Sequence, residues 1–322
     1  MIGVDTLDTL IGDAELVAFT GKGGVGKTTC SAATAVRFAD RGERTLLLST
    51  DRSPSLSDVL GLDVADELTS VPGVDGLDAM ELDFDAVAER WKDEFGEEMY
   101  AVVSSFMSVD RWVIDYFAEA PGIATQFALS YLLEFFEGEA YDRIVWDTAP
   151  AGATIGLIEL EEELYSHLGD APRFYAKLRA AVKRDVTHDP SALLERWRTL
   201  AQDCLAMVRD ERTTFVVVTN PESLAVAETE RIVAELVDRD ISVGAVVANR
   251  VLSERICDGA YHRKRVAMQQ EHIQELTDAY GDRPGLVAVP QLSTDVDGTE
   301  TVRAVATWLF DRTTAEIDVV ES

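Results

Sequence analysis

A glycine-rich segment that ends in a lysine and a threonine is the part of this sequence with the clearest chemical capacity. It follows the Walker A pattern, Gly21-x-x-x-x-Gly26-Lys27-Thr28. In such a loop, backbone N–H groups curl around phosphate oxygens, the lysine reaches the β- and γ-phosphates, and the hydroxyl binds Mg²⁺. The segment therefore predicts a site for a nucleotide and Mg²⁺. The predicted contact residues are Gly21, Lys22, Gly23, Gly24, Val25, Gly26, Lys27, Thr28 and Thr29.

Two carboxylates follow apolar segments at positions suited to phosphate chemistry. Asp51 ends the run TLLLST, and we expect it to orient or deprotonate an attacking water. Asp147 ends the run RIVW, and we expect it to hold Mg²⁺ directly or through a water molecule. Gly152, shortly after, is predicted to offer a backbone N–H to the γ-phosphate, because it has no side chain in the way.

Seven short apolar runs alternate with helical patterns and predict the sheet that positions these residues. They are Leu16–Thr20, Thr45–Thr50, Gly76–Glu81, Arg143–Trp146, Phe215–Thr219, Gly244–Ala248 and Leu286–Val289. Continuous apolar strands separated by helices are typical of a parallel sheet that is covered on both faces. The sequence thus predicts an α/β protein with a doubly wound, mostly parallel sheet.

Two stretches, about 83–139 and 157–210, show helical patterns only. In the first, an apolar stripe at the spacing of one helix face is formed by Phe106, Val109, Val113 and Phe117. In the second, similar stripes are formed by Leu157, Leu160, Leu164 and Leu168, and by Leu193, Trp197, Leu200 and Cys204. We expect one phosphate-loop domain over residues 1–322, with a helical subdomain inserted as these two pieces.

The composition restricts the classes of partner and the surroundings. Asp and Glu number 59 against 29 Lys and Arg, a net charge of −30 that would repel nucleic acid. Such self-repulsion is best tolerated where salt screens it, so we expect a halophile. We predict a cytoplasmic protein without direct membrane insertion, because no apolar run is long enough to cross a bilayer and the N-terminus lacks the features of a signal peptide.

The phosphate loop carries an extra lysine, and this feature resembles a known class. The segment Lys22–Thr29, KGGVGKTT, resembles the deviant Walker A loop of the MinD, ParA, nitrogenase iron protein and ArsA class. The resemblance implies that Lys22 crosses a dimer interface and touches the partner's nucleotide, where a cation stabilises charge on the γ-phosphoryl group. It therefore implies a homodimer that binds ATP, with Lys22, Lys27 and Asp51 as catalytic residues.

Further motifs narrow the resemblance to one branch of that class. Ser49–Asp58, STDRSPSLSD, is similar to switch I of the arsenical-pump and guided-entry ATPases, and Asp147–Thr154, DTAPAGAT, resembles their switch II. With Pro121–Ile123 and Glu228–Arg231, the similarity extends from about Leu16 to Leu309. On this basis the chain is identified as a member of the ArsA and guided-entry (GET) ATPase family. The resemblance also implies that Asn249 reads adenine and that Pro290 begins the adenine-side loop.

The sequence departs from that family at two places. Switch I has Arg52-Ser-Pro-Ser55 where the family has Pro-Ala-His-Asn, so the resemblance does not determine how this loop closes on the nucleotide. The family's zinc-binding CxxC would fall near Gly259–His262, where no such pair exists. Cys257 and His262 from two copies would supply four ligands of a tetrahedral zinc site, but a lone cysteine and histidine are more often structural, so zinc is not predicted.

Three functions remain open at this stage. The leading hypothesis is a homodimeric ATPase whose nucleotide state opens and closes the helical subdomain, which binds tail-anchored membrane proteins. An arsenite or oxyanion pump-driving subunit is the first alternative, although Cys30 and Cys204 are not convincing equivalents of that branch's arsenite-sensing cysteines. The second alternative is a regulatory ATP switch with a soluble partner. A MinD-type membrane switch is disfavoured, since the C-terminus is short and acidic.

Overall fold

The computed structural model describes most of the chain as two compact units. The described residues are 6–51, 55–106, 109–118, 123–168, 191–252 and 259–311. The first unit comprises Met1–Glu81, Gly138–Thr154 and Arg209–Ser322, and the second comprises Leu82–Glu137 and Ile155–Val208. The chain therefore leaves the first unit twice, after Glu81 and after Thr154.

The first unit is built on an eight-stranded sheet with the order β3-β4-β2-β5-β1-β6-β7-β8. Its strands are β1 (Leu16–Gly21), β2 (Thr45–Ser49), β3 (Thr69–Ser70), β4 (Leu77–Glu81), β5 (Arg143–Asp147), β6 (Thr213–Thr219), β7 (Val243–Val251) and β8 (Leu286–Pro290). All pairings are parallel except that of β3 with β4. The predicted doubly wound sheet is confirmed, and its seven apolar runs are seven of these strands.

The short strand β3 was missed because it has almost no apolar signal. It consists of Thr69 and Ser70, neither of which is buried, and it pairs antiparallel with β4 at the edge of the sheet. Periodicity detects strands that bury side chains, whereas a two-residue edge strand is defined mainly by its hydrogen bonds.

Eleven helices are found in the described ranges. They are α1 (Leu7–Ile11), α2 (Lys27–Asp40), α3 (Leu56–Leu60), α4 (Phe84–Phe106), α5 (Trp112–Ala118), α6 (Ile123–Glu137), α7 (Ala151–Leu168), α8 (Ser191–Val208), α9 (Ser223–Asp238), α10 (Ala260–Tyr280) and α11 (Thr299–Phe310). None of them, within those ranges, combines the length and the apolar character that a bilayer crossing requires.

The register of the central strands determines where polar side chains meet. Strand β1 is buried along its whole length, and Phe19 of β1 is paired with Asp147 of β5. On its other side β5 is paired with β2, so that Asp147 is also level with Ser49. Because the strands are parallel, their carboxyl ends and the residues that follow them gather at one edge of the sheet.

The second unit has an aromatic core. The rings of Trp91 and Phe95 on α4 have centroids 6.2 Å apart, and Phe95 packs edge-to-face on Phe127 of α6 at 5.7 Å. Trp197 of α8 joins them at 6.0 Å from Phe95. Leu193 and Cys204 of α8 are also buried. The apolar stripe predicted on this last helix therefore forms ordinary core.

The stripe Phe106, Val109, Val113 and Phe117 does not lie on one helix, so that expectation was wrong. Helix α4 ends at Phe106 and α5 begins at Trp112. Before α5, the carbonyl of Asp110 accepts a hydrogen bond from the N–H of Val113, and this bond forms the first turn of the new helix. Aspartate favours helix starts over helix interiors, because its side chain competes with the backbone for hydrogen bonds. The spacing of apolar residues cannot register such an interruption.

Candidate active site

The glycine-rich loop connects β1 to α2, and its conformation requires glycine. Gly24 and Gly26 have φ values of 79° and 98°, in the left-handed region that other residues rarely adopt. A Cβ atom on Gly26 would lie 2.2 Å from the Asn249 side chain, whereas one on Gly24 would meet nothing within 4 Å. The backbone at Gly24 therefore faces open space, as a loop that cradles phosphate requires.

Lys27 and Asp51 come together at the start of α2. The Nζ atom of Lys27 lies 3.9 Å from Oδ2 of Asp51, and the two side chains are only 5% and 14% exposed. A cation at the N-terminus of a helix is repelled by the helix dipole, so Lys27 needs a nearby anion. Asp51 is the anion in this arrangement, and the phosphates of a nucleotide would supply further negative charge.

Asp147 is buried among hydroxyl groups. Its Oδ2 accepts hydrogen bonds from Thr28 Oγ1 at 2.9 Å and from Ser49 Oγ at 3.1 Å. Its Oδ1 is buried and has no hydrogen-bond partner. Burial raises the pKa of Asp147 to about 7, while the hydrogen bond from Thr28, the charge of Lys27 and the hydrogen bond from Ser49 oppose this rise.

This set of atoms suits a magnesium ion. Mg²⁺ prefers oxygen ligands, and Thr28 and Asp147 place a hydroxyl and a carboxylate side by side. An unpaired buried oxygen costs about 1–3 kcal/mol, and a cation bound at Asp147 Oδ1 would relieve that cost. The predicted ligands Thr28 and Asp147 are thus adjacent, with Lys27 and Asp51 in the same site.

Sequence reasoning assigned no role to a further group around switch I. Ser55 Oγ lies 3.0 Å from Thr28 Oγ1. Glu81 is 5% exposed, and its Oε1 accepts the N–H groups of Ser55 at 3.0 Å and of Leu56 at 3.2 Å. Like Asp51 and Asp147, Glu81 is an acidic residue at the end of an apolar run, so the criterion that selected those two would also have selected it.

Lys22 forms an ion pair within the same chain. Its Nζ lies 3.2 Å from Oε2 of Glu228 on α9, and each side chain is about one-third exposed. Glu228 belongs to the motif Glu228–Arg231 that carried part of the family resemblance, but the sequence did not indicate its partner. The lysine expected to act on a second copy is therefore held by its own chain in this arrangement.

Asn249 lies near the end of β7, and Pro290 is the last residue of β8. The Asn249 amide donates to the carbonyl of Val25 at 2.8 Å, and its oxygen accepts the N–H of Arg250 at 2.9 Å. Asn249 thereby braces the phosphate loop against β7. Pro290 is paired with Val251 at the neighbouring strand end.

Gly152 is exposed in the first turn of α7. A Cβ at this position would meet nothing within 4 Å, so its backbone is open to approach. Three of the motifs fall partly outside the described residues: Arg52–Pro54 of switch I, Pro121–Gly122, and Cys257.

The two described cysteines are buried. Burial raises the pKa of the Cys30 thiol to about 12, and burial also raises the pKa of Cys204. Both thiols therefore remain protonated near neutral pH, in which state a cysteine is a poor metal ligand. Across the described ranges no group of three or more His, Cys, Asp and Glu side chains is placed to hold a metal ion.

Comparison with known proteins identifies the family to which this chain belongs. The profile of the ArsA_ATPase family, described as anion-transporting ATPase, matches residues 14–311. A relative from Halobacterium salinarum, whose name describes it as an arsenical pump-driving ATPase, is 31% identical over 308 residues. The match covers 95% of this chain but 45% of that relative. The chain thus spans about half the length of that relative.

Other relatives have nearly the length of this chain. A protein from Malassezia globosa named ATPase GET3 is 30% identical over 301 residues, covering 90% of this chain and 89% of the relative. One of the same name from Mycosarcoma maydis is 31% identical over 302 residues, covering 90% and 88%. With the profile covering most of the chain and the phosphate loop in place, the chain belongs to the anion-transporting ATPase family and is an ATPase.

Proposed function

We propose that this protein is a homodimeric Mg²⁺-dependent ATPase whose nucleotide state opens and closes the helical unit, and that this unit targets tail-anchored membrane proteins. The observation that carries the proposal is the convergence of Lys27, Asp51, Thr28 and Asp147 at one edge of the sheet. From this edge the chain runs directly into the second unit after Glu81 and after Thr154.

Each residue of the site has a role in this proposal. The loop N–H groups and Lys27 bind the β- and γ-phosphates, and Thr28 and Asp147 hold Mg²⁺, which neutralises charge on the transferring phosphoryl group. Asp51 orients the attacking water, and Gly152 contacts the γ-phosphate. Loss of the γ-phosphate releases this contact at the start of α7, which continues into the second unit.

The helical unit offers apolar surface for a client. Trp112 and Tyr116, one turn apart on α5, are 58% and 66% exposed. Their rings pack against each other with centroids 6.3 Å apart. Exposed apolar side chains that lie together can mark a site for a protein or membrane partner. The pair is therefore a candidate contact for an apolar client, although a soluble protein partner could use the same surface.

The name of the Halobacterium relative supports a second candidate function, in which the protein drives a pump. In that function the ATPase energises export of a metalloid or an oxyanion. Soft metalloids bind thiolates, and both described cysteines are buried with raised thiol pKa values, which counts against this candidate. A regulatory ATP switch with a soluble partner remains the third candidate.

An Asp51→Asn variant is expected to bind Mg-ATP normally but to turn over about 10²–10⁴-fold more slowly, since removing a general base has effects of this size. Amide oxygen still accepts a hydrogen bond but cannot take a proton. Steady-state phosphate release and equilibrium nucleotide binding measure the two effects. Asp75→Asn, an exposed residue of the same unit, is the control for the loss of charge. Normal turnover by Asp51→Asn would show that the water is activated elsewhere.

The same variant provides the test of function. Asp51→Asn is loaded with Mg-ATP in high salt and mixed with a labelled peptide of about 20 apolar residues, the length of a membrane span. Binding in the ATP-loaded state, but not with ADP or with a peptide interrupted by two lysines, supports targeting. ATPase activity of the wild type that rises only with arsenite would indicate the pump function. If neither peptide binding nor arsenite stimulation is observed, the regulatory switch with a soluble partner is the function that remains.

The ion pair of Lys22 with Glu228 predicts an effect on dimerisation. If Lys22 acts on a second copy, Glu228 competes for it, and a Glu228→Gln variant releases it. An exposed pair is worth about 0.2–1 kcal/mol, so the protein concentration for half-maximal turnover is expected to fall up to about fivefold. Turnover measured over a dilution series tests this, with Glu235→Gln on the same helix as the control. An unchanged concentration dependence would argue against the cross-dimer role of Lys22.

A further inference from the structure

Glu81 accepts hydrogen bonds from switch I and is the last residue before the chain enters the helical unit. We propose that Glu81 is a positioning residue that transmits occupancy of the nucleotide site to α4, through switch I and the end of β4. This inference rests on the proposed coupling of nucleotide state to the helical unit, and it names a residue and a route for that coupling.

The first link is between Glu81 and switch I. Its Oε1 accepts the backbone N–H groups of Ser55 and Leu56, at 3.0 and 3.2 Å, and its Oε2 accepts the Ser57 hydroxyl at 3.0 Å. A carboxylate is a stronger hydrogen-bond acceptor than a neutral oxygen. Three such bonds to a side chain that is 95% removed from solvent hold this part of switch I firmly on β4.

The second link is between switch I and the metal site. Ser55 Oγ is 3.0 Å from Thr28 Oγ1, which also donates to Asp147. A threonine hydroxyl has a single proton, and an oxygen that binds a cation has fewer lone pairs left to accept hydrogen bonds. Because Thr28 gives its proton to Asp147, the Ser55 hydroxyl is the donor in their contact. A cation on the remaining lone pair of Thr28 would draw electron density from the acceptor oxygen, so we expect it to weaken the hydrogen bond from Ser55. The neighbouring backbone N–H of Ser55 is the group anchored on Glu81.

The third link is covalent. Glu81 is the last residue of β4 and of the first unit, Leu82 is the first residue of the second unit, and α4 begins at Phe84. Glu81 is also level with Ser49 of β2, which donates to Asp147. Only Leu82 and Asp83 separate Glu81 from α4, so we expect a shift at Glu81 to reach the first turn of that helix.

A glutamate that only stabilised the start of α3 would make the same three hydrogen bonds. The experiment must therefore separate this local role from transmission of nucleotide occupancy to α4. Hydrogen–deuterium exchange over Phe84–Phe106 is compared with and without Mg-AMP-PNP, in the full chain, for wild type, Glu81→Ala and Asp78→Ala. Asp78 is the matched control, because it lies on the same strand and accepts hydroxyls from Ser70 at 2.6 Å and Tyr141 at 2.9 Å. Nucleotide affinity and the unfolding temperature are measured in parallel.

We expect wild type and Asp78→Ala to show a nucleotide-dependent change in exchange in α4, and Glu81→Ala to lose most of it. Glu81→Ala should bind Mg-AMP-PNP within about threefold of wild type, since the phosphate loop is intact. Glu81→Gln, which retains one acceptor oxygen, should recover part of the response.

A full response in Glu81→Ala, or its equal loss in Asp78→Ala, would overturn the proposal. The first outcome would exclude the route through Glu81, and the second would show a general effect of weakening β4. If wild type hydrolyses ATP but shows no response in α4, the coupling in the proposed function fails, and the role of Glu81 fails with it.

Discussion

A Lys27→Ala variant is expected to lose Mg-ATP affinity by on the order of 10²-fold or more. A hydrogen bond to a charged group is worth about 1.5–3 kcal/mol, and a lysine that reaches both the β- and γ-phosphates makes two of them. The variant also leaves Asp51 without the cation that lies 3.9 Å from it, so the empty site becomes more negative and repels the triphosphate. Calorimetric titration with Mg-ATP measures the loss.

The fold itself should not suffer from this change. Lys27 is the first residue of α2, where a positive charge is opposed by the helix dipole, and alanine has the highest helix propensity. These gains oppose the loss of the cation beside Asp51 and the buried Asp147, so we expect the unfolding temperature without nucleotide to change little. Lys264→Ala, an exposed lysine on α10, controls for the loss of one positive charge from a chain of net charge −30. Retained affinity in Lys27→Ala would place the nucleotide elsewhere.

An Asp147→Asn variant is expected to gain stability without nucleotide and to lose Mg-ATP turnover. The pKa of Asp147 is raised to about 7 by burial, so keeping this group ionised costs free energy of folding. Each unit of pKa shift corresponds to about 1.4 kcal/mol, and we expect a net gain of about 1 kcal/mol or more after other changes. The amide oxygen still accepts from Thr28 and Ser49, but an amide is a far weaker ligand for Mg²⁺ than a carboxylate.

The stability difference should depend on pH in a defined direction. Between about pH 4 and 7 the unfolded chain has lost the Asp147 proton, while the folded chain keeps it up to its pKa of about 7. Folding then takes up a proton, so wild-type stability falls as pH rises across this window. The advantage of Asp147→Asn should grow from about pH 4 to about pH 7 and then level off.

Denaturant unfolding of both proteins in EDTA, at several pH values, tests this expectation. The difference between them isolates Asp147 from the other carboxylates of the chain. Ser49→Ala serves as a second comparison, because it removes one donor to Asp147 but keeps its charge. A variant that is less stable than wild type at pH 7 would mean that Asp147 is favourably ionised in the folded protein.

The phosphate loop, the strands whose ends carry the candidate site residues, and the family could all be predicted from local sequence. Lys27 and Thr28 were selected from the Walker A pattern, and Asp51 and Asp147 because each follows an apolar run, a position that parallel strands bring to one edge of the sheet. The described structure places them there. Their types and spacing reflect chemistry that any phosphate site needs, and for this reason short motifs carry the signal.

Other parts of the molecule depend on contacts between residues far apart in sequence. The hydrogen bonds of Glu81 with Ser55 and the ion pair of Lys22 with Glu228 join residues 26 and 206 positions apart, by subtraction of their numbers. Neither partner is special by type, since both acidic residues could equally have been solvated surface groups. The break between α4 and α5 was hidden for a related reason, because the apolar spacing continues across it while the backbone turns at Asp110.

Local pattern thus predicted seven of the eight strands and selected the candidate reactive groups. Tertiary structure decided which polar atoms are buried, which of them form hydrogen bonds, and which have no hydrogen-bond partner. Asp147 ends β5 between β1 and β2, its Oδ1 is buried without a hydrogen-bond partner, and burial raises its pKa. Burial is a property of the packed chain, so the electrostatics of this site could not be read from its motifs.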